Sequence, residues 1–106
     1  MESRITENHF SDENGMPAGG TTFGNGFAIG WQNGPLGRGE ERIPPNGAFV
    51  EDVIRAAVGR LEYYQNSRFK CAENADALVH LRIALECLQS RTAKREARQV
   101  EGTHAE

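Results

Sequence analysis

Apolar residues in the second half of the chain are spaced for two helices. Over residues 49–64 they recur every three or four positions along two neighbouring stripes, and over residues 75–88 one stripe follows the same period. A period near 3.6 places side chains on one face of an α-helix. Asn46 precedes the first run and is a residue type that caps helices. The pattern predicts helices over residues 46–66 and 71–98, joined as an antiparallel hairpin.

The first half of the chain shows strand-like alternation over a short stretch. Large apolar side chains alternate with small or polar ones over residues 27–31, which gives a strand one apolar face. Asn33-Gly34-Pro35 then marks a turn. We therefore expect a β-hairpin or meander over residues 23–43, with its second strand after that turn. Residues 1–22 show neither period and are expected to form a mobile tail.

Together these elements predict an α+β fold: a short N-terminal β-hairpin followed by a long antiparallel two-helix hairpin. A chain of 106 residues has room for one core. We expect a single domain over residues 23–106 that ends in a C-terminal tail over residues 99–106. The first helix carries more apolar surface than one sheet and one helix can cover, so the pattern predicts a homo-oligomer.

Charge and cysteine content exclude several classes of protein. With 12 basic and 15 acidic residues the chain lacks the basic balance of a protein that binds polymeric nucleic acid. No run approaches the roughly 18 apolar residues of a membrane span, and the N-terminus does not resemble a signal peptide. Cys71 and Cys87 lie about 24 Å apart along one predicted helix, too far for a disulfide. We expect free thiols and a cytoplasmic protein.

The sequence contains no recognisable catalytic or metal-binding motif. The glycines over residues 24–30 are one residue too widely spaced for a dinucleotide-binding loop, and they precede a strand. The three histidines have no cysteine or carboxylate at a spacing typical of zinc sites. We therefore expect a protein that is not an enzyme and that needs no metal or cofactor.

Basic residues cluster at the end of the second predicted helix. Arg91, Arg95 and Arg98 have the spacing i, i+4, i+7, which places them on one face. Cations in the last turns of a helix complement its dipole, and this alone can explain the cluster. The alternative is a site for phosphates, which guanidinium groups hold through paired hydrogen bonds.

Aromatic and amide side chains gather at the opposite end of the helical hairpin. Tyr63, Tyr64 and Phe69 could stack on a base, and Asn74 could bond to a base edge or a ribose hydroxyl. Core packing and helix capping are equally good explanations. Asn74 and Arg91 are about 25 Å apart along a straight helix, too far for one nucleotide-sized ligand. A shared site would therefore combine Tyr64 and Asn74 of one subunit with Arg91 and Arg95 of a neighbour.

Several longer segments of the sequence are specific enough to suggest a family. They are Trp31-Gln32-Asn33-Gly34-Pro35-Leu36-Gly37-Arg38-Gly39, Pro45-Asn46-Gly47-Ala48-Phe49-Val50-Glu51-Asp52-Val53-Ile54, Arg60-Leu61-Glu62-Tyr63-Tyr64-Gln65, Phe69-Lys70-Cys71-Ala72-Glu73-Asn74-Ala75, Arg91-Thr92, Arg95-Glu96 and Val100-Glu101-Gly102-Thr103-His104. Through them the chain resembles the Thoeris anti-defence sponges of bacteriophages, which share a helical-hairpin domain with the anti-CBASS sponges. The resemblance covers residues 27–104.

The resemblance implies that the protein binds glycocyclic ADP-ribose, the signal made by Thoeris TIR enzymes, and sequesters it without degrading it. In the family the ligand lies between protomers. The corresponding residues of this chain are Tyr64, Asn74, Arg91, Arg95, Thr103 and His104. Position 64 is a tyrosine where a phenylalanine would stack equally well. Gln99 stands where a glycine helix stop is expected, which affects how the C-terminal tail folds over the ligand.

The resemblance also implies a hexamer built from dimers, with separate pockets in some members for cyclic di- or trinucleotides of CBASS signalling. Arg38 and Arg42 are the candidates here for such a second cyclic-nucleotide pocket. Two other functions stay open at this point. One is an adaptor whose helical hairpin binds a protein partner and no small molecule. The other is an enzyme that degrades the signal, although no acid-base pair supports it.

Overall fold

The computed structural model describes residues 4–98 and 101–104, which form a three-stranded sheet followed by two helices. The strands are β1 (Ile5–Ser11), β2 (Pro17–Gly24) and β3 (Phe27–Asn33), and all neighbours are antiparallel in the order β1-β2-β3. A 3₁₀ turn spans Gly39–Glu41, and the helices are α1 (Val50–Gln65) and α2 (Ala72–Ala97). The predicted α+β fold with a two-helix hairpin is confirmed.

The prediction of a mobile tail over residues 1–22 is wrong, because β1 and most of β2 lie there. Every residue of β1 is exposed, so this strand has no apolar face to reveal it. The turn between β1 and β2 is what the sequence could have indicated. There Asp12 Oδ1 accepts hydrogen bonds from the backbone N–H of Asn14 at 2.8 Å and of Met16 at 3.0 Å. Asx turns of this kind reverse the chain without any hydrophobic pattern.

The predicted β-hairpin over residues 23–43 is misplaced. Strand β3 forms where residues 27–31 alternate, but its partner is β2, which precedes it. Asn25-Gly26 joins the two strands, and Gly26 has a φ of 86°. Such a pair is the typical two-residue hairpin turn. Residues 36–43 form no strand and contain only the 3₁₀ turn.

The outer edge of β3 is covered by the segment over residues 46–48. Gln32 N donates to Ala48 O at 3.0 Å, and Ala48 N donates to Gly30 O at 2.7 Å. The Asn46 carboxamide pairs with the backbone of Asn33 as a neighbouring strand would. It accepts a hydrogen bond from Asn33 N at 2.8 Å and donates one to Asn33 O at 3.0 Å. Asn46 therefore does not cap a helix as predicted, and α1 begins at Val50.

The chain divides into two compact units. The first unit contains the sheet, the loop up to residue 49 and the C-terminal segment over residues 101–104. The second contains both helices, residues 50–98. This division differs from the single domain over residues 23–106 that the sequence predicts, because the C-terminal segment joins the sheet unit rather than extending the helices.

Each unit has a small buried core. In the sheet unit Leu36 is buried, and Thr22 is buried beneath Trp31, whose indole Nε1 donates to the Thr22 hydroxyl at 2.8 Å. In the helical unit α1 has no buried residue, and Leu78 is the buried residue of α2. Among the described residues no helix has the length and apolar character that crossing a membrane requires.

Candidate functional site

The turn between the two helices is fixed by side-chain hydrogen bonds. The Gln65 carboxamide reaches across it, accepting from Cys71 N and donating to Cys71 O, each at 3.0 Å. The Ser67 hydroxyl donates to Tyr64 O at 2.6 Å and accepts from Phe69 N at 3.1 Å. These bonds satisfy backbone groups that a helix end leaves unpaired. The end of the hairpin is therefore a defined surface.

Tyr64 and Asn74, two of the predicted ligand residues, both lie at this end of the hairpin. Tyr64 is the second-last residue of α1, and Asn74 is the third residue of α2. The Cys71 sulfur caps α2 by accepting a hydrogen bond from Asn74 N at 3.4 Å. Both side chains are half-buried. The structure thus brings an aromatic ring and a carboxamide to the same end of the helical unit.

Arg91 and Arg95 lie near the opposite end of the same helix. Because α2 runs without interruption over Ala72–Ala97, it contains Asn74 as well as both arginines. At about 1.5 Å per residue, the 17 positions from Asn74 to Arg91 correspond to about 25 Å. Arg91 is exposed and Arg95 is half-buried. Within one chain, α2 keeps the amide and the arginines apart.

Thr103 and His104 belong to the sheet unit. The C-terminal segment of this unit is held by Arg38, Arg42 and Glu101, which we call the C-terminal clasp. Arg42 bonds to both Glu101 carboxylate oxygens, with Nη1–Oε2 at 2.7 Å and Nη2–Oε1 at 3.0 Å. Arg38 Nη1 donates to Glu101 O at 3.0 Å. Thr103 and His104 follow Glu101 by two and three positions in the chain. Thr103 is half-buried, and His104 is exposed.

The C-terminal clasp contains both residues that the sequence predicts for a second cyclic-nucleotide pocket. Arg38 and Arg42 were candidates to bind the phosphates of a cyclic di- or trinucleotide, yet the Glu101 carboxylate already occupies the paired donors of Arg42. Such a bidentate contact is the strongest form of ion pair between these groups. An anionic ligand would have to compete with this carboxylate.

Two residues that contact the predicted site residues, Arg60 and Glu101, were not predicted from the sequence. Arg60 lies over the rings of both tyrosines, and hydrogen bonding to the Tyr64 side chain raises the pKa of its guanidinium. Its spacing of three and four residues from Tyr63 and Tyr64 was the available signal. Glu101 lies in one of the family-specific segments, but no local pattern pairs it with Arg38 or Arg42, which are 63 and 59 positions away.

The chemistry for a metal or a disulfide is not assembled in the part of the chain that the structure describes. Over residues 4–98 and 101–104 no group of three or more His, Cys, Asp or Glu side chains could hold a metal ion. Cys71 and Cys87 are exposed free thiols. The predicted ligand residues Tyr64, Asn74, Arg91 and Arg95 carry aromatic, amide and guanidinium groups, which are suited to stacking and hydrogen bonding.

Comparison with known proteins connects this geometry to a family. Residues 25–93 match the family model described as "Acb2/Tad1, hairpin domain", so the match includes β3 and α1 and most of α2. A relative named "Thoeris anti-defense 1", from Bacillus phage SBSphiJ7, is 54% identical over 59 residues. That stretch is 56% of this chain and 42% of the relative, so the match spans less than half of the relative's length. The resemblance to the Thoeris anti-defence family is confirmed, and the chain belongs to the Acb2/Tad1 hairpin-domain family.

Proposed function

We propose that this protein is a phage or prophage anti-defence protein that captures a cyclic ADP-ribose derivative, with glycocyclic ADP-ribose as the leading candidate. The protein binds the signal in the host cytoplasm, withholds it from the effector and releases it unchanged. The relative named for Thoeris anti-defence supports the biological role. The residues at the two ends of the helical unit support the chemical role, because they suit a base, a ribose and two phosphates.

The observation that carries the proposal is the uninterrupted helix α2 over Ala72–Ala97. Because Asn74 and Arg91 sit at opposite ends of it, one chain cannot bring both to one small ligand. Two antiparallel copies can, since the amide end of one helix then lies beside the arginine end of the other. Each site in the proposal therefore contains Tyr64 and Asn74 of one copy with Arg91 and Arg95 of the next.

The surface of the helical unit supports self-association. Val79 and Ile83 on α2 are 53% and 49% exposed, although α2 buries Leu78 to 5%. Ala75 and Cys87 extend this exposed row at intervals of four residues, and all four positions share one side of the helix. A row of uncovered apolar residues is typical of an interaction surface. We propose that a second copy covers it and that such dimers assemble into a hexamer.

Tight binding is needed because the signal must be held below the level that activates its effector. For submicromolar to nanomolar capture the binding free energy must be about −9 to −12 kcal/mol. Stacking on Tyr64 and charge-assisted bonds from Arg91 and Arg95 can contribute much of this. Thr103 and His104 belong to the sheet unit, and their place among the ligand residues rests on the family resemblance alone. The proposal does not extend to cyclic di- or trinucleotides at Arg38 and Arg42, because Glu101 contacts both residues.

The decisive substitution is Arg91→Gln, with Arg82→Gln as its matched control. Both arginines are exposed on α2, but they lie nine positions apart and hence on opposite sides of the helix. Loss of one or two charge-assisted bonds should weaken capture by about 10- to 100-fold for Arg91→Gln. Arg82 forms an exposed ion pair with Glu62 at 3.0 Å, so its loss should change affinity less than about twofold.

Calorimetric titration with glycocyclic ADP-ribose measures both variants. Equal affinity for the two would remove Arg91 from the site. Mass spectrometry of the ligand released by heating distinguishes capture from the other functions: intact ligand supports the proposal, and a hydrolysed product would indicate an enzyme. An adaptor protein would release no ligand.

A further inference from the structure

Arg60 forms a cluster with both tyrosines of the chain at the end of α1. Its guanidinium carbon lies 4.9 Å from the centroid of the Tyr63 ring and 4.8 Å from that of the Tyr64 ring. The two rings contact each other edge to face, with centroids 5.9 Å apart and planes inclined by 62°. One guanidinium therefore bridges two aromatic rings that already touch.

The cluster restrains the ring on which the proposed ligand would stack. A guanidinium over an aromatic face is held by the charge distribution of the ring, and edge-to-face ring pairs add a further attraction. Tyr63 is 61% exposed, so core packing does not hold its ring in place against Tyr64. Hydrogen bonding to the Tyr64 side chain raises the pKa of Arg60, and an arginine guanidinium is charged at physiological pH without such a shift.

We propose that Arg60 is a positioning residue of the ligand site, which fixes the Tyr64 ring so that the face away from the guanidinium is ready to stack on a base. This inference rests on the proposed function. A ring that is already ordered loses less conformational freedom when a ligand binds, so the restraint increases affinity without direct contact between Arg60 and the ligand.

The test compares Arg60→Gln with Arg60→Lys and with Arg55→Gln in the full-length protein. Cation–π contacts at exposed sites are individually weak, so Arg60→Gln should reduce the affinity for glycocyclic ADP-ribose by about fivefold. Arg60→Lys keeps the charge and should recover at least half of that loss on a logarithmic scale. Arg55 is an exposed arginine of the same helix that pairs with Asp52 at 3.5 Å, and Arg55→Gln should leave the affinity within about twofold.

A double-mutant cycle with Tyr64→Phe and Tyr64→Ala shows whether Arg60 acts through the ring. In the Tyr64→Ala background Arg60→Gln should have no further effect, because there is no ring left to position. In the Tyr64→Phe background it should still weaken binding. Fully additive effects of Arg60→Gln and Tyr64→Ala would overturn the proposal, since they would show that Arg60 acts independently of the ring.

A measurement without ligand separates this inference from the proposed function. Both tyrosines of the chain are in the cluster, so the tyrosine band of the near-ultraviolet circular dichroism spectrum reports its order. Arg60→Gln should diminish this band, and Arg55→Gln should not. An unchanged band would refute the positioning role even if the wild-type protein captures the signal. Failure of the wild-type protein to bind would refute the proposed function itself.

Discussion

The sheet unit and the helical unit are held together in different ways. The sheet unit relies on specific polar contacts and close backbone approaches, such as the Asn46 side chain paired with Asn33 and the clasp around Glu101. The helical unit relies on apolar packing, yet α1 buries no residue completely and α2 leaves Val79 and Ile83 exposed. The difference is what we expect if the sheet unit specifies its own shape and the helical unit is completed, as proposed, by another copy of the chain.

The largest effects are expected from the apolar residues of α2, where neighbouring positions should respond differently. Leu78→Ala removes a buried side chain and should lower the free energy of unfolding by about 2–5 kcal/mol. The pair Val79→Ser and Ile83→Ser alters exposed positions and should scarcely affect a monomer. If a second copy covers these residues, the double variant should instead lose the concentration dependence of the Tm.

Thermal unfolding at two protein concentrations, together with light scattering, separates these effects. Leu78→Ala should lower the Tm at both concentrations. A double variant with wild-type mass and wild-type Tm at both concentrations would show that Val79 and Ile83 do not form the interface.

Two glycines test the contrast between close backbone contact and open helix surface. A Cβ on Gly47 would lie 2.5 Å from the carbonyl carbon and oxygen of Trp31, so Gly47→Ala forces the edge segment away from β3. We expect a loss of about 2–3 kcal/mol, in the range of backbone and packing strain. Gly59 in α1 has nothing within 4 Å of the position of a Cβ, and Gly59→Ala should stabilise the helix by about 0.5–1 kcal/mol.

Urea unfolding curves of these two variants give the sign of each change. Stabilisation by Gly47→Ala, or a loss of more than about 1 kcal/mol in Gly59→Ala, would contradict the contrast. The second result would indicate that Gly59 touches a neighbouring copy of the chain.

The smallest loss of stability is expected from opening the C-terminal clasp. Glu101→Gln removes the charge from a carboxylate that is only 22% exposed and that pairs with Arg42 at 2.7 Å. Glu62→Gln is the matched control, because the Glu62–Arg82 pair at 3.0 Å is about half exposed on both sides. The clasp should be worth about 1 kcal/mol and the exposed pair about half of that or less.

Amide hydrogen exchange at Gly37 reports the clasp directly, because Gly37 N donates to Gly102 O at 2.7 Å. Glu101→Gln should accelerate this exchange about fivefold, in line with a loss of about 1 kcal/mol. Glu62→Gln should leave it unchanged. Equal exchange in both variants would show that the backbone hydrogen bond holds the segment without help from the ion pairs.

The sequence was a good guide to the helices and a poor guide to the sheet unit, for a physical reason. The apolar period of α1 and α2 is a local signal repeated over many residues, and it predicted both helices and their hairpin. Strand β1 has no apolar face, and β2 is rich in glycine, so neither carries such a signal. Asn25-Gly26 is a typical two-residue hairpin turn, but it lies among the glycines of residues 24–30, a composition that nucleotide-binding loops share.

The same distinction applies to the site. The spacing of Tyr64, Asn74 and Arg91 along two helices follows from helix geometry alone, and the structure has these residues on the expected helices. The pairing of Arg42 with Glu101 joins residues 59 positions apart, which no local pattern contains. In the proposed site, the residues that share a ligand come from different copies of the chain, and the only trace of this in one sequence is the distance between Asn74 and Arg91 along α2.

Mixing two inactive variants tests the composite site most directly. Tyr64→Ala and Arg91→Gln should each capture little glycocyclic ADP-ribose, because each damages every site in its own assembly. If the variants are unfolded together in equal amounts and refolded, random pairing should create intact sites at about a quarter of the wild-type number. Titration of the mixture should then show this fraction binding with wild-type affinity. No recovery in assemblies that mass spectrometry proves to contain both variants would show that Tyr64 and Arg91 do not act on one ligand from different copies.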